Sequence, residues 1–412
     1  MKRLITFLGT GEYKEVIYHW NGVDSRQRFF ALAAAEWEEP AEIYVLLTPE
    51  AENHRNWIGD ETTPGLASDP RCRAVPITSG KSEKEMWANF STLTHLFTLD
   101  AEIVLDVTHA FRSLPILGLA AASYARALSG VTVTRILYGA YEARNVESGR
   151  TPVFDLGVFL QLLDWTSAAH LLKETGDARP FGHILSGIQQ QARQPGSTPD
   201  PASELPTLLK PLGSALTSLS EALMVTRPDE TRLKARDLMI KIQKARPQVE
   251  TWAPPFAAAL EVVEDTFRDL EGDGLATERS IISWYVRHGH WVQALTLARE
   301  WLVSLTAAYL SPHSDLRRRS SREPAEEMLN HAVIRRSEAI RGPASPLLSN
   351  FDAWLSAAEV EKLWSAIRDL RNDLAHCGMN EQPAQAKAVG QRVDELCKRL
   401  SMLPICCSDS TP

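Results

Sequence analysis

At 412 residues the chain is long enough for two or three domains. Apolar residues make up 44% of it, too many for a disordered chain, and a net charge of −8 excludes a coat of basic surface for duplex DNA, though not a local basic groove. The five cysteines (Cys72, Cys377, Cys397, Cys406 and Cys407) form no C-x-x-C pair, so neither a zinc site nor a disulfide framework is expected, and a reducing cytoplasm fits.

Met1-Lys2-Arg3 before Leu4–Leu8 has the outline of a secretory n-region, but Glu12 and Lys14 end the apolar run too early. Residues 1–165 then alternate between two patterns. Short β-rich runs fall at Leu4–Leu8, Ile43–Leu47, Ala74–Ile77, Ile103–Leu105 and Val131–Tyr138. Helical periodicity lies between them at Arg26–Trp37, Glu83–Phe97 and Leu114–Leu128. Runs such as Ile103-Val104-Leu105 read as strands buried on both faces, and the alternation predicts a doubly wound, Rossmann-like parallel sheet. The most apolar stretch, Leu114–Ala122, is far short of the ~20 residues a membrane span needs, so a soluble protein is expected.

Gly176–Pro206 is rich in Pro, Gly, Ser and Gln and predicts a long surface loop. Beyond it the pattern is all-α. Helices are expected over Leu208–Leu223, Thr231–Ala245, Phe256–Leu270, Arg279–Tyr309, Pro324–Ala339, Ala357–Gly378 and Ala386–Leu400, with a joint at Thr251–Pro255. No internal repeat of solenoid length is present. The expected fold class is α/β plus all-α: a sheet domain over 1–165, a helical linker region over 166–275 and a second helical domain over 276–412.

Two candidate sites stand out. The first strand runs into Gly9-Thr10-Gly11, where a ligand can approach backbone and the next helix can offer N–H groups to an anion. Lys14 holds the place of the third glycine of a dinucleotide fingerprint, which counts against a nicotinamide enzyme. The fourth strand ends in Asp106-Val107-Thr108-His109-Ala110-Phe111-Arg112-Ser113, with Ser113 as a candidate N-cap and Pro115 in the first turn. Thr108, His109 and Arg112 would face the crevice outside the strand ends, and Tyr138-Gly139-Ala140-Tyr141-Glu142 would border it.

The second site is Arg371-Asn372-Asp373-Leu374-Ala375-His376. Leu363, Ile367, Leu370 and Leu374 make an apolar stripe, so this segment is a helix with one buried face. Asn372 and His376, at i and i+4, share a face, whereas Arg371 and His376 lie about 140° apart around an ideal helix. Gly378 supplies the helix end. The residue types suit RNA cleavage by the ribose 2′-hydroxyl without metal: an imidazole as base or acid, a guanidinium for the phosphorane oxygens. Arg317, Arg318, Arg319, Arg322, Arg335, Arg336 and Arg341 form a basic zone that either guides a phosphate backbone or is a solvated face, and Glu300 either orients a catalytic Arg or His or is a surface charge.

In this order, the motifs Phe7–Gly11, Asp106–Arg112, Tyr138–Glu142 and Arg371–His376, with the helix Gln293-Ala294-Leu295 to Arg299-Glu300, resemble the CARF–HEPN ancillary ribonucleases of type III CRISPR systems. The resemblance spans most of the chain except Thr166–Leu275. It implies a homodimer whose CARF domains bind a cyclic oligoadenylate, cyclic tetra-adenylate first, through Gly9, Thr10, Gly11, Thr108, His109 and Arg112. It further implies paired HEPN domains that cut single-stranded RNA with Arg371, Asn372 and His376 of each chain, without a metal or other cofactor, in antiviral defence. The alternative is a non-enzymatic nucleotide-sensing regulator with a helical DNA-binding domain, but no short glycine-containing turn precedes a basic recognition helix.

Overall fold

The computed structural model of the chain describes residues 1–110, 113–193, 204–312, 314–338, 351, 354, 356–379, 381 and 383–405, with the backbone alone at 335–338. Two compact units result, Met1–Asp164 and Trp165–Pro412. Among the described residues no helix is long and apolar enough to cross a membrane.

The first unit runs β1 (Lys2–Leu8), β2 (Val16–Trp20), β3 (Val23–Gln27), α1 (Phe30–Glu38), β4 (Glu42–Leu47), the short α2 (Pro49–Glu52) and α3 (Arg55–Ile58), β5 (Cys72–Pro76), α4 (Glu83–Leu96), β6 (Glu102–Asp106), α5 (Leu114–Ser129), β7 (Thr132–Gly139) and β8 (Arg150–Asp155). The strands form one sheet in the order β3-β2-β8-β7-β6-β1-β4-β5. Leu4, Ile5, Ile43, Val45, Ile103, Val104 and Leu105 are fully buried, because both faces of the sheet are covered. On one face Phe30, Ala31, Ala33 and Ala34 of α1 pack against Leu4, Val45 and Val104. On the other, Leu93 of α4 and Ala121, Ala122 and Ala125 of α5 pack against Ile5, Ile103 and Leu105.

The expected all-parallel sheet is corrected to a mixed one. The stretch β5-β4-β1-β6-β7 is parallel, but β8 is antiparallel to β7, and β2 and β3 form an antiparallel hairpin. Trp20 pairs with Val23 across Asn21-Gly22, whose φ angles of 51° and 80° suit the primed turn that a right-twisted two-residue hairpin requires. The Asn-Gly pair was a readable hairpin signal. Arg26, expected in a helix, is the fourth residue of β3, where it pairs with Ile17, and α1 begins only at Phe30.

The second unit comprises α6 (Gly157–Thr175, whose first residues belong to the preceding unit), α7 (Arg179–Gln191), α8 (Leu209–Met224), α9 (Pro228–Trp252), α10 (Pro254–Phe267), α11 (Gly274–Arg287), α12 (Trp291–Leu310), α13 (Arg319–Glu338), α14 (Ala357–Ala375) and α15 (Ala386–Ser401). One apolar core runs through it from Trp165 to Leu403. Two expectations change. The predicted loop at Gly176–Pro206 contains α7, which buries Phe181 and Leu185 at i and i+4. Its glycine belongs to a close helix crossing: a Cβ on Gly182 would lie 2.5 Å from the Gly213 carbonyl of α8. The single helix expected over Arg279–Tyr309 is two, broken at His288-Gly289-His290, where the His290 ring hydrogen-bonds the Thr175 carbonyl at 2.8 Å.

Candidate ligand cleft and candidate nuclease site

In the first unit the strand order turns around β1, with β4 on one side and β6 on the other, and a cleft of about 520 Å³ opens at their carboxyl ends. Gly9, Thr10 and His109 line it, as the strand-end rule predicts. Thr48, Glu50, Ser79 and Lys81 line it as well and were not singled out from the sequence. The readable signal was Ser79-Gly80-Lys81-Ser82, a short polar turn between β5 and α4, with Ser82 capping the helix by accepting the Glu85 N–H at 3.2 Å.

The fold itself uses much of what the sequence offered to a ligand. The Gly9 N–H donates to the Tyr13 hydroxyl at 3.0 Å, and a Cβ on Gly9 would lie 2.9 Å from that oxygen. Fully buried Asn56 donates to the carbonyls of Gly9 and Gly11 at 2.9 and 2.8 Å and accepts from Arg28 at 2.8 Å. The Thr108 hydroxyl accepts the Gly139 N–H at 2.8 Å, tying β6 to β7. His109 accepts the Phe30 N–H through Nε2 at 3.3 Å, and its ring stacks on Tyr13 at 4.1 Å. Desolvation lowers its pKa to about 4, so the imidazole is neutral at physiological pH.

Below the cleft, Asp106 is fully buried and accepts from the Thr6 hydroxyl at 2.6 Å and the Thr108 N–H at 2.8 Å. Burial raises its carboxyl to about 6 despite those bonds. Ser113 stands at the N-cap position of α5 with Pro115 in the first turn, as expected, but its hydroxyl turns to Met86 Sδ at 3.7 Å and not to a helix N–H. Tyr138 does not border the cleft; its hydroxyl goes to Glu142 at 3.1 Å. Arg112 lies outside the described residues.

In the second unit α14 buries Val360, Leu363, Trp364, Ile367 and Leu370, which turns Arg371, Asn372 and His376 away from the core. Arg371 Nη1 donates to Asn372 Oδ1 at 3.3 Å. His376 is exposed and caps the helix, its N–H donating to the Asn372 carbonyl at 2.9 Å. The chain turns there through a bond from the Gly378 N–H to the Asp373 carbonyl at 2.8 Å. Asn372 thus contacts both partners, and the three residues form an open patch at a helix end. Two cavities of about 360 and 480 Å³ in this unit flank Arg317 and Glu278, and neither includes the patch.

Of the two readings of Glu300, neither an orienter of Arg371 or His376 nor an unpaired surface charge describes it. Its carboxylate accepts from Arg322 at 2.6 Å and from Arg299 at 2.5 Å. Arg322 also reaches Ser304 at 2.6 Å, fastening α13 to α12. Arg299 lies over the ring of Trp364, 5.1 Å from its centre, linking α12 to the buried face of α14. The described arginines of the basic zone are likewise paired with carboxylates. Arg317 pairs with Glu278 and Asp229, Arg318 with Asp315, and Arg319 with Glu323. Arg341 and the side chains of Arg335 and Arg336 lie outside the described residues.

Fold and sites together define a two-unit protein: an α/β unit with a cleft at its strand switch point, followed by a helical unit with a polar helix end. Residues 161–274, from α6 to the start of α11, match the family described as CRISPR-associated protein MJ1674, second domain. Over 131 residues the chain is 29% identical to CRISPR-associated protein MJ1674 of Methanocaldococcus jannaschii, a stretch covering 31% of this chain and 20% of that protein. The match therefore spans about a fifth of that relative's length. The chain carries a domain homologous to part of a CRISPR-associated protein.

Proposed function

We propose that the protein is a CRISPR-associated, metal-independent endoribonuclease of the CARF–HEPN type, switched on by a cyclic oligoadenylate. The observation that carries this reading is the match of residues 161–274 to a domain of a CRISPR-associated protein, set between a strand-end cleft and the Arg371/Asn372/His376 patch. The cleft receives the ligand and two copies of the patch meet across a homodimer in the cytoplasm. One His376 takes the proton of the RNA 2′-hydroxyl as that oxygen attacks phosphorus. The bond to the 5′-oxygen breaks, and the second copy's His376 protonates the departing oxygen. Arg371 stabilises the phosphorane charge, and Asn372 holds Arg371 in place. The products are a 2′,3′-cyclic phosphate and a 5′-hydroxyl.

A ligand shifts a conformational equilibrium only by its differential affinity for the two states, and a symmetric ring touching both copies has that property. The test is to incubate the full chain with labelled RNA and cyclic oligoadenylates of several ring sizes, with EDTA present. Low basal cleavage, strong stimulation by one ring and cyclic-phosphate ends are expected. Equal activity with and without every ring, 3′-hydroxyl ends, or cleavage that survives His376→Ala would overturn the reading.

A further inference from the structure

The strand-end cleft contains a group that a phosphate site would exclude. Glu50 lines it, in the first turn of α2, and its carboxylate accepts from the Ser79 hydroxyl at 3.1 and 3.3 Å. The Lys81 ammonium lies 4.0 Å from it. Hydrogen bonds from its own N–H, from Thr48 and from Ser79 hold the Glu50 carboxyl below its ordinary range, so it is an anion at neutral pH. Among the described lining residues the charged groups are therefore one anion and one cation, already paired, beside a neutral His109. The apolar lining is supplied by Phe7, Leu46, Ile77 and Leu114, all buried.

A carboxylate repels a phosphodiester brought beside it, and the Lys81 ammonium stands within 4.0 Å of that same carboxylate. An apolar floor under an ionised acceptor suits instead a flat heterocycle or sugar that presents N–H or O–H groups. We infer that this cleft holds the uncharged nucleoside part of the ligand, with Glu50 accepting a donor of the base or ribose, and that the phosphates lie outside it. This rests on the cleft being the nucleotide site of the proposed function.

The two possibilities predict opposite signs for one substitution. Adenosine, inosine and 2′-deoxyadenosine, which carry no phosphate, are titrated into the full chain by ligand-observed NMR, alongside inorganic phosphate. Wild type, Glu50→Gln and Glu50→Ala are compared. Adenosine is expected to bind at millimolar concentration and to weaken about tenfold or more in Glu50→Ala, the usual effect of losing a hydrogen bond to a charged group. Glu50→Gln, which keeps one acceptor and the shape of the side chain, falls between. Inosine binding wild type no better than adenosine binds Glu50→Ala assigns the donor to the base amine. The same result with 2′-deoxyadenosine assigns it to the ribose hydroxyl. Adenosine affinity unchanged in Glu50→Ala, no adenosine binding to wild type, or inorganic phosphate that binds wild type and displaces adenosine would each overturn the inference. A chain that binds adenosine through Glu50 but cuts no RNA with any cyclic oligoadenylate would retire the proposed function and leave this inference standing.

Discussion

The two candidate sites differ in what the fold leaves over for chemistry. At the strand ends, Gly9, Gly11, Thr108 and His109 all hold neighbouring backbone or side chains in place. At the end of α14, Asn372 contacts Arg371 and His376, Asn372 and His376 are exposed, and Arg371 is half-buried. The lesson concerns mutagenesis. A substitution at the strand ends changes stability together with binding, whereas one at the helix end separates chemistry from folding.

The sharpest test of that contrast is His376→Ala. RNA cleavage is expected to fall by about 10²–10⁴, the usual contribution of a general acid or base. Unfolding free energy should move by less than about 0.5 kcal/mol, because the side chain is exposed. A cleavage assay and a urea melt on the same preparation decide it; a loss of both would erase the distinction between the sites. Asn56→Ala probes the other side. It leaves two loop carbonyls and Arg28 without their partner, so the first unit should lose about 2–4 kcal/mol, read from hydrogen exchange of β1 and β4.

The third prediction concerns pH. Asp106, raised to about 6, contributes stability at low pH that is lost as pH rises from its ordinary 3.8 through the folded value. His109, lowered to about 4, contributes stability at neutral pH that is lost as pH falls from 6.5 through its folded value. The windows overlap and the signs oppose, so together the two groups leave the wild-type stability of β6 nearly level there. Asp106→Asn should expose the His109 slope, a loss of about 3 kcal/mol on acidification, and His109→Gln the reverse slope. Hydrogen exchange of the β6 amides across this range measures both; equal slopes in wild type and variants would show that neither shift exists. The smallest effect is expected from Thr108→Val. It leaves the Gly139 N–H unsatisfied and should cost about 1–2 kcal/mol. If ligand affinity falls while the melt stays unchanged, the Thr108 hydroxyl serves the ligand after all.

Periodicity and run length, which are local, were enough to place β1, β4, β5, β6 and β7, the helices α4, α5, α8 and α15, and the division into a sheet half and a helical half. The turns at Gly9 and His109 were legible for the same reason, because a strand running into a polar turn announces its own carboxyl end. The β2–β3 hairpin was written locally too, in Asn21-Gly22, but its neighbours Val16–Trp20 and Val23–Gln27 lack the continuous apolar run of the central strands. What tertiary structure alone decided were the partners. Gly182 looks like a loop residue until Gly213 of another helix lies against it. Glu300 looks like a catalytic helper until Arg322 and Arg299 take its carboxylate. Glu50 and Lys81 are 31 residues apart and meet only because β4 and β5 pair side by side and deliver their following turns to one cleft. Local spacing dictates which face of an element is apolar. Which polar group a side chain meets depends on contacts between distant segments, and burial then determines whether that group is left free to act.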